Sequence, residues 1–339
     1  MTGMTRVAVL SPSFAAPGAY PAVHEQALER LRALGLEPVE FPTTRQVGAS
    51  PEDRARDITA AFADGSIAAV LASVGGNDQI TVTRHLDAEV IRANPKPFLG
   101  YSDNTNLLNL LWQLGVPGFY GGSTQVQIGP GPYVEDYHLI SFLAALRGAG
   151  EIEVTLPADS EDHGPDWDDP RALTEFGYRT PCDPLEWFGP PRIVEGRTWG
   201  GCLEVLAQLG IAGRFPGVGK LQGGILLLEA SERLTPTDVV TDIVRALGEG
   251  GILGAVDGVM LARTPTTGLD TDATLSRREQ IDIVAETVRR YNPDAVMCAG
   301  VPFGHTRPQW ILPYGGRVRL DGVDERVVAD YAFSGFMQA

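Results

Sequence analysis

The sequence predicts an α/β protein, with a parallel-sheet N-terminal domain over residues 1–150 and a second, smaller α/β domain over residues 198–339. Three observations lead there. Short, nearly all-apolar runs alternate with longer stretches of helical period through the first half, as in a sheet covered on both faces. That alternation lapses from Glu151 to Arg197, where Pro, Asp and Trp crowd the chain without a period, and then resumes. The chain of 339 residues is also long enough for two ordinary domains.

The elements follow in order. "RVAVLS" (Arg6–Ser11) is the first strand, and "YPAVHEQALERLRALG" places Val23, Ala27, Leu28, Leu31 and Leu34 on one helical face before Gly35 ends it. "EPVEF" is the second strand. In "SPEDRARDITAAFADG", Ser50 stands at the N-cap, Pro51 at the first helical position and Asp53 where a capping box puts its acid. "IAAVLAS" is the third strand and runs into the loop "VGGNDQ"; after another helix, "KPFLGYS" is the fourth. Residues 151–197 read as a linker plus an irregular excursion. Beyond it come helix "GGCLEVLAQLG", strand "GGILLLEAS", helix "TPTDVVTDIVRALGEGG", strand "VDGVMLART", helix "SRREQIDIVAETVRRYN" and strand "DAVMCAGVPFGH".

Composition narrows the partners. With 43 acidic against 27 basic residues the net charge is −16, a surface that repels phosphate backbones and argues against nucleic acid. The three cysteines (Cys182, Cys202, Cys298) are odd in number and widely spaced, without metal-ligand or disulfide spacing. The N-terminal apolar run, Val7 to Leu10, is too short for a signal-peptide core, and no stretch is long enough for a membrane span. A cytoplasmic protein without a membrane association is the expectation.

In such sheets ligands bind beyond the carboxyl ends of the strands, so polar residues there draw attention. Ser102 turns from "FLGY" into a helix, a strand-to-helix corner like a nucleophile elbow, although the second glycine of G-x-S-x-G is missing from Gly100-Tyr101-Ser102-Asp103-Asn104. The competing reading is that Ser102 or Asp103 caps the helix. Glu229 ends the apolar run of "GGILLLEASE" as either a buried, paired carboxylate or a strand-end charge. His305 ends the apolar strand "DAVMCAGVPFGH", or else is a solvated loop histidine, whereas His24, His85 and His138 fall in helices, where a solvated face is the usual place, and His163 falls in an acidic loop. A hydroxyl, a carboxylate and an imidazole at strand ends are the inventory of an acyl-transfer triad, in the chain order Ser, acid, His. The backbone amides of Gly76 and Asp103 are candidates for an oxyanion hole, against the commoner use of Gly-Gly as a tight turn. The "GGND" loop also has a loose likeness to Gly-Gly-Asp kinase loops, but neither a P-loop nor a second acidic cluster supports that reading.

The motifs "SVGGND", "NPKPFLGYSDNTNLLN", "GRTWGGCLEVLAQLG", "GILLLEASE" and "VPFGHTRPQWILPYGGRVRLD" occur in the order seen in the LD-carboxypeptidase family of serine peptidases. That family also contains the microcin C immunity peptidases. The resemblance implies a Ser-Glu-His triad carried on Ser102, Glu229 and His305, with an N-terminal nucleophile domain and a C-terminal domain that supplies Glu and His. It further implies a homodimer, no metal and no organic cofactor. "GGCLEVL" departs from the Gly-Gly-Asn-Leu usual in carboxypeptidases, and the Trp-bearing excursion resembles the immunity branch. On that reading the substrate is a peptidyl-aspartyl adenylate-type amide; the alternatives are a murein tetrapeptide and a non-catalytic binding role. Trp187 or Trp167 is the candidate to stack on a nucleobase, or else packs the domain junction. Glu204 is the candidate to meet a substrate amine, or else an ordinary helix-surface glutamate.

Overall fold

The computed structural model describes residues 4–268 and 274–336. Five parallel strands form the first sheet: β1 (Thr5–Leu10), β2 (Leu36–Glu40), β3 (Ile67–Ala72), β4 (Phe98–Gly100) and β5 (Gly118–Tyr120). Their order is 2-1-3-4-5, so the topology reverses between β1 and β3, and the loops leaving those strands flank a natural ligand crevice. Val7 to Leu10 and Val70 to Ala72 are almost wholly buried, as strands covered on both faces require. Ser50 caps the helix Pro51–Ala63 as expected, its hydroxyl accepting the Asp53 N–H at 3.1 Å.

The stretch 151–197, expected to be a linker and irregular excursion, is more structured than its composition suggests. It supplies β6 (Glu151–Glu153), a short ribbon of β7 (Asp159–Ser160) with β8 (Thr180–Pro181), and β9 (Glu186–Phe188), before the start of β10 (Ile193–Cys202). The whole of "GRTWGGC" belongs to β10, and the helix predicted to include Gly200 and Gly201 starts only at Leu203. Those two glycines lie at φ +134° and +121°, backbone that an α-helix cannot contain. Then β11 (Ile225–Glu229), β12 (Gly258–Ala262) and β13 (Val296–Val301) follow β10 as a parallel core.

The chain next crosses to the first sheet. Its strand β14 (Leu312–Tyr314) adds antiparallel to β5, and only afterwards do β15 (Arg317–Asp321) and β16 (Arg326–Asp330) close the second sheet. The second sheet therefore has eight strands in the order 6-16-15-10-11-12-13-9. One continuous apolar core runs between the sheets; Tyr120 stacks on Tyr314 with ring centroids 6.1 Å apart. This arrangement turns the loops after β3 and β4 toward the ends of β11 and β13. Among the described residues, no helix is long and apolar enough to cross a membrane.

Candidate active site

Ser102 does not cap its helix. Residues Ser102–Asn104 form a 3-10 turn ahead of the helix Thr105–Leu114, whose N-cap residue Asn104 makes no side-chain cap. Ser102 itself has φ +62°, a left-handed conformation uncommon for a residue with a Cβ. Backbone strain of that kind is held in place by its surroundings and gathers at functional sites. Here the surroundings are polar and buried. The neighbouring Asp103 carboxylate accepts from Ser13 Oγ at 2.6 Å, from the Gln79 N–H at 2.9 Å and from Asn106 Nδ2 at 3.0 Å. Burial pushes the Asp103 carboxyl above its usual range, while the Ser13 and Gln79 bonds work against that shift. Arg54 holds the adjacent loop by clamping Asp78 with bonds of 2.8 and 2.7 Å.

The glycine loop passes close over the serine. A Cβ on Gly75 would lie 2.8 Å from Ser102 Cβ and 2.9 Å from its Oγ, so only glycine fits there. The Asp103 N–H opens a helical turn, where amides lack an intrahelical acceptor, and it lies 3.2 Å from that same point. Gly76 follows at φ +154° and lines the same cavity.

Glu229 and His305 meet. Glu229 ends β11 fully buried, and its Oε2 is 2.5 Å from His305 Nδ1. Its Oε1 accepts from the hydroxyl of Tyr120, which in turn accepts the Ser102 N–H at 3.4 Å. His305 stands four residues beyond the end of β13, not on the strand itself. Gly304 allows the approach, since a Cβ there would lie 2.9 Å from Glu229 Oε2. Tyr101 packs edge-on against the imidazole at 5.0 Å.

The other imidazole nitrogen is also occupied: Nε2 is 3.0 Å from a carboxylate oxygen of Glu232. Burial alone would strip the proton from His305, but Glu229 and then Glu232 outweigh it and hold the imidazole's pKa well above the usual value. The Glu232 carboxyl is held down to about 2, its desolvation overcome by the imidazolium opposite. Among the described residues, no hydrogen bond joins Ser102 Oγ to His305. Both side chains instead open onto one cavity of about 790 Å³.

That cavity lies between the two sheets. Tyr20, the glycine loop, Tyr101 and Ser102 form one side, and Glu232, Arg233, His305 and Arg307 form another. Asp162 to Asp168 of the excursion make a third wall and carry Trp167, which packs edge-on against Tyr20 at 5.5 Å. The other sequence candidates lie elsewhere. Trp187 sits in edge strand β9, paired opposite Cys298 and outside this cavity. Glu204 also lies outside it. Its Oε1 accepts from the Ser231 N–H at 3.2 Å, from Ser231 Oγ at 2.6 Å and from Thr235 Oγ1, and its Oε2 accepts from Cys202 Sγ at 3.0 Å. Glu204 therefore ties down the loop after β11 and contacts nothing in the cavity. Sequence reasoning missed Glu232, Tyr120 and Tyr101, although the acid in "LEASE" three residues past Glu229 was a usable signal. Among the described residues, no group of His, Cys, Asp or Glu is placed to hold a metal ion.

Residues 7–121 match the LD-carboxypeptidase N-terminal domain and residues 195–320 match the LD-carboxypeptidase C-terminal domain. The chain belongs to the LD-carboxypeptidase family. A putative carboxypeptidase of Streptomyces coelicolor is 30% identical over 338 residues, covering 93% of this chain and 90% of the relative. The microcin C7 self-immunity protein MccF of Escherichia coli is 26% identical over 274 residues, 80% of this chain and 76% of MccF. Among solved structures, MccF in complex with aspartyl sulfamoyl adenosine superimposes with a TM-score of 0.84 at 21% identity, over 98% of each chain. An MccF-like protein of Streptococcus pneumoniae in complex with AMP gives 0.84 at 23% identity, over 97% of this chain and 99% of that one. The family membership makes this a peptidase-type hydrolase.

Proposed function

We propose that the protein is a serine amide hydrolase with Ser102 as nucleophile, His305 as general base and acid, and Glu229 as the carboxylate that orients the imidazole. The observation that carries this reading is the Ser102 conformation: a hydroxyl at φ +62°, opening onto the same cavity as an imidazole backed by a fully buried carboxylate. In the reaction Ser102 Oγ adds to the acyl carbon as its proton passes to Nε2. The amides of Gly76 and Asp103 receive the developing oxyanion, and Nε2 then returns the proton to the leaving nitrogen. Water repeats the sequence on the acyl-serine. Glu229 holds the imidazole in orientation and stabilises the imidazolium.

The proposed substrate is a peptidyl-aspartyl adenylate-type amide. Trp167 and Tyr20 offer the cavity an aromatic wall for a nucleobase, and an adenylate-type ligand accords with the sulfamoyl adenosine and AMP bound by the two structural relatives. The family's name favours a second reading, hydrolysis of a murein tetrapeptide. Incubating the pure protein separately with aspartyl sulfamoyl adenosine and with a murein tetrapeptide distinguishes the two. Cleavage of the sulfamoyl adenosine is expected, and cleavage of the tetrapeptide alone would replace the first reading with the second. Ser102→Ala should lower the rate by about 10⁴-fold or more. A variant as fast as the parent removes Ser102 from the nucleophile role.

A further inference from the structure

Glu232 plays no part in the triad described above, yet it touches the one nitrogen on which the triad depends. Nε2 must face Ser102 Oγ for the imidazole to take the serine's proton, and a carboxylate now stands 3.0 Å from it. The contact is built rather than incidental. Glu232 lies in the turn after β11, and both flanks of that turn are pinned to Glu204, through Ser231 and through Thr235. Gln280 Nε2 adds a bond of 2.9 Å to the Thr235 carbonyl. Although its anchors are buried, the Glu232 side chain is 60% exposed, so it has room to swing within the cavity. Arg233, the next residue, lines the same cavity and offers a cation toward which it can move.

Resting on the serine-hydrolase reading, we propose that Glu232 is a gate on the catalytic imidazole, one that holds Nε2 when closed and withdraws from it when a ligand enters. With the gate closed, the imidazole donates to a carboxylate at each nitrogen and has no lone pair for Ser102. Withdrawal leaves only Glu229 in contact; the Nε2 proton passes to water, and the lone pair then faces the serine. The charged and titratable groups around the ring are Glu229 from β11, Glu232 and Arg233 from the turn after it, Tyr101 from the nucleophile corner, Tyr120 behind Glu229, and Arg307 two residues on. Of these, only Glu232 engages Nε2, so neutralising it changes the ring's charge without disturbing the contact to Glu229.

The test uses the full-length protein, Glu232→Gln and Glu232→Ala, and two readouts that require no known substrate. The first is the titration midpoint of His305 by NMR, assigned with His305→Gln. The second is the rate at which a fluorophosphonate labels Ser102 between pH 5 and 9, with Ser102→Ala as the blank. Both Glu232 variants should lower the His305 midpoint by about one pH unit or more and label about ten-fold faster below the parent's midpoint. An unchanged midpoint overturns the gate, and so does a lowered midpoint without faster labelling. If the His305 midpoint falls but neither parent nor variants label Ser102 at any pH, the hydrolase reading fails while the contact between Glu232 and Nε2 stands.

Discussion

Two imidazoles meet at the segment Gly304–Gln309, His305 within it and His138 packed against its last residue, with opposite electrostatic fates. His138, on the helix Asp136–Arg147, is buried with Nδ1 3.2 Å from the Gln309 carbonyl and, among the described residues, no partner for Nε2. Burial pushes its pKa down to about 3, so it stays neutral. His305 is nearly as enclosed, with a side chain only 7% exposed, but carboxylates at both nitrogens push its pKa the other way. The lesson is that burial alone silences a histidine. What distinguishes a candidate base from a structural residue is the carboxylate the fold delivers to it, and Gln309 ties the two sites together by donating to the Gly304 carbonyl.

Substitutions can break or sharpen this contrast. The largest effect is expected from His305→Gln, which should lower kcat/KM by about 10⁵-fold while leaving the circular dichroism spectrum unchanged. Activity within ten-fold of the parent would put the two histidines on an equal footing. Glu229→Gln keeps the shape of the acid and removes its charge; the expected loss is about 10⁴-fold, mainly in kcat.

The smallest effect concerns stability. His138 binds a proton more weakly folded than unfolded, so its contribution is complete above a pH of about 6.5 and is lost as pH falls from there toward about 3. His305 binds more tightly when folded, so its contribution is complete below a pH of about 6.5 and is lost as pH rises through the raised folded value. Urea unfolding at pH 7 and pH 4 should therefore show His138→Gln losing roughly 3 kcal/mol less than the parent over that interval. Equal losses in the two proteins would mean that His138 is protonated in the native state.

Much of this architecture was legible in the sequence, for identifiable reasons. The apolar runs of β1, β3 and β11 can hardly be anything but buried strands, and Glu229 and His305 stood out as polar groups at the ends of such runs. Other parts gave no local signal. β5 and β14 have three residues each, too few to show a period, and their pairing joins positions nearly two hundred residues apart. His24 and His138, expected on solvated helix faces, are buried, because tertiary contacts and not helix period decide which face is covered. Glu232 gave only a weak signal, for a different reason. An acid in a turn after a strand is ordinary, and its meaning depends on a histidine 73 positions later in the chain folding back against it.

The crossing from β13 to β14 has a mechanical consequence. Residues 302–311 form a short bridge with one footing on each sheet, and His305 rides near its middle. A tilt of one half of the molecule against the other would pull on that span and carry the imidazole with it. Ser102, anchored to the first sheet alone, would stay behind. The separation between hydroxyl and imidazole thus works as a gauge of how the halves are seated, and a ligand that wedges into the cleft between them acts on the same span that carries His305.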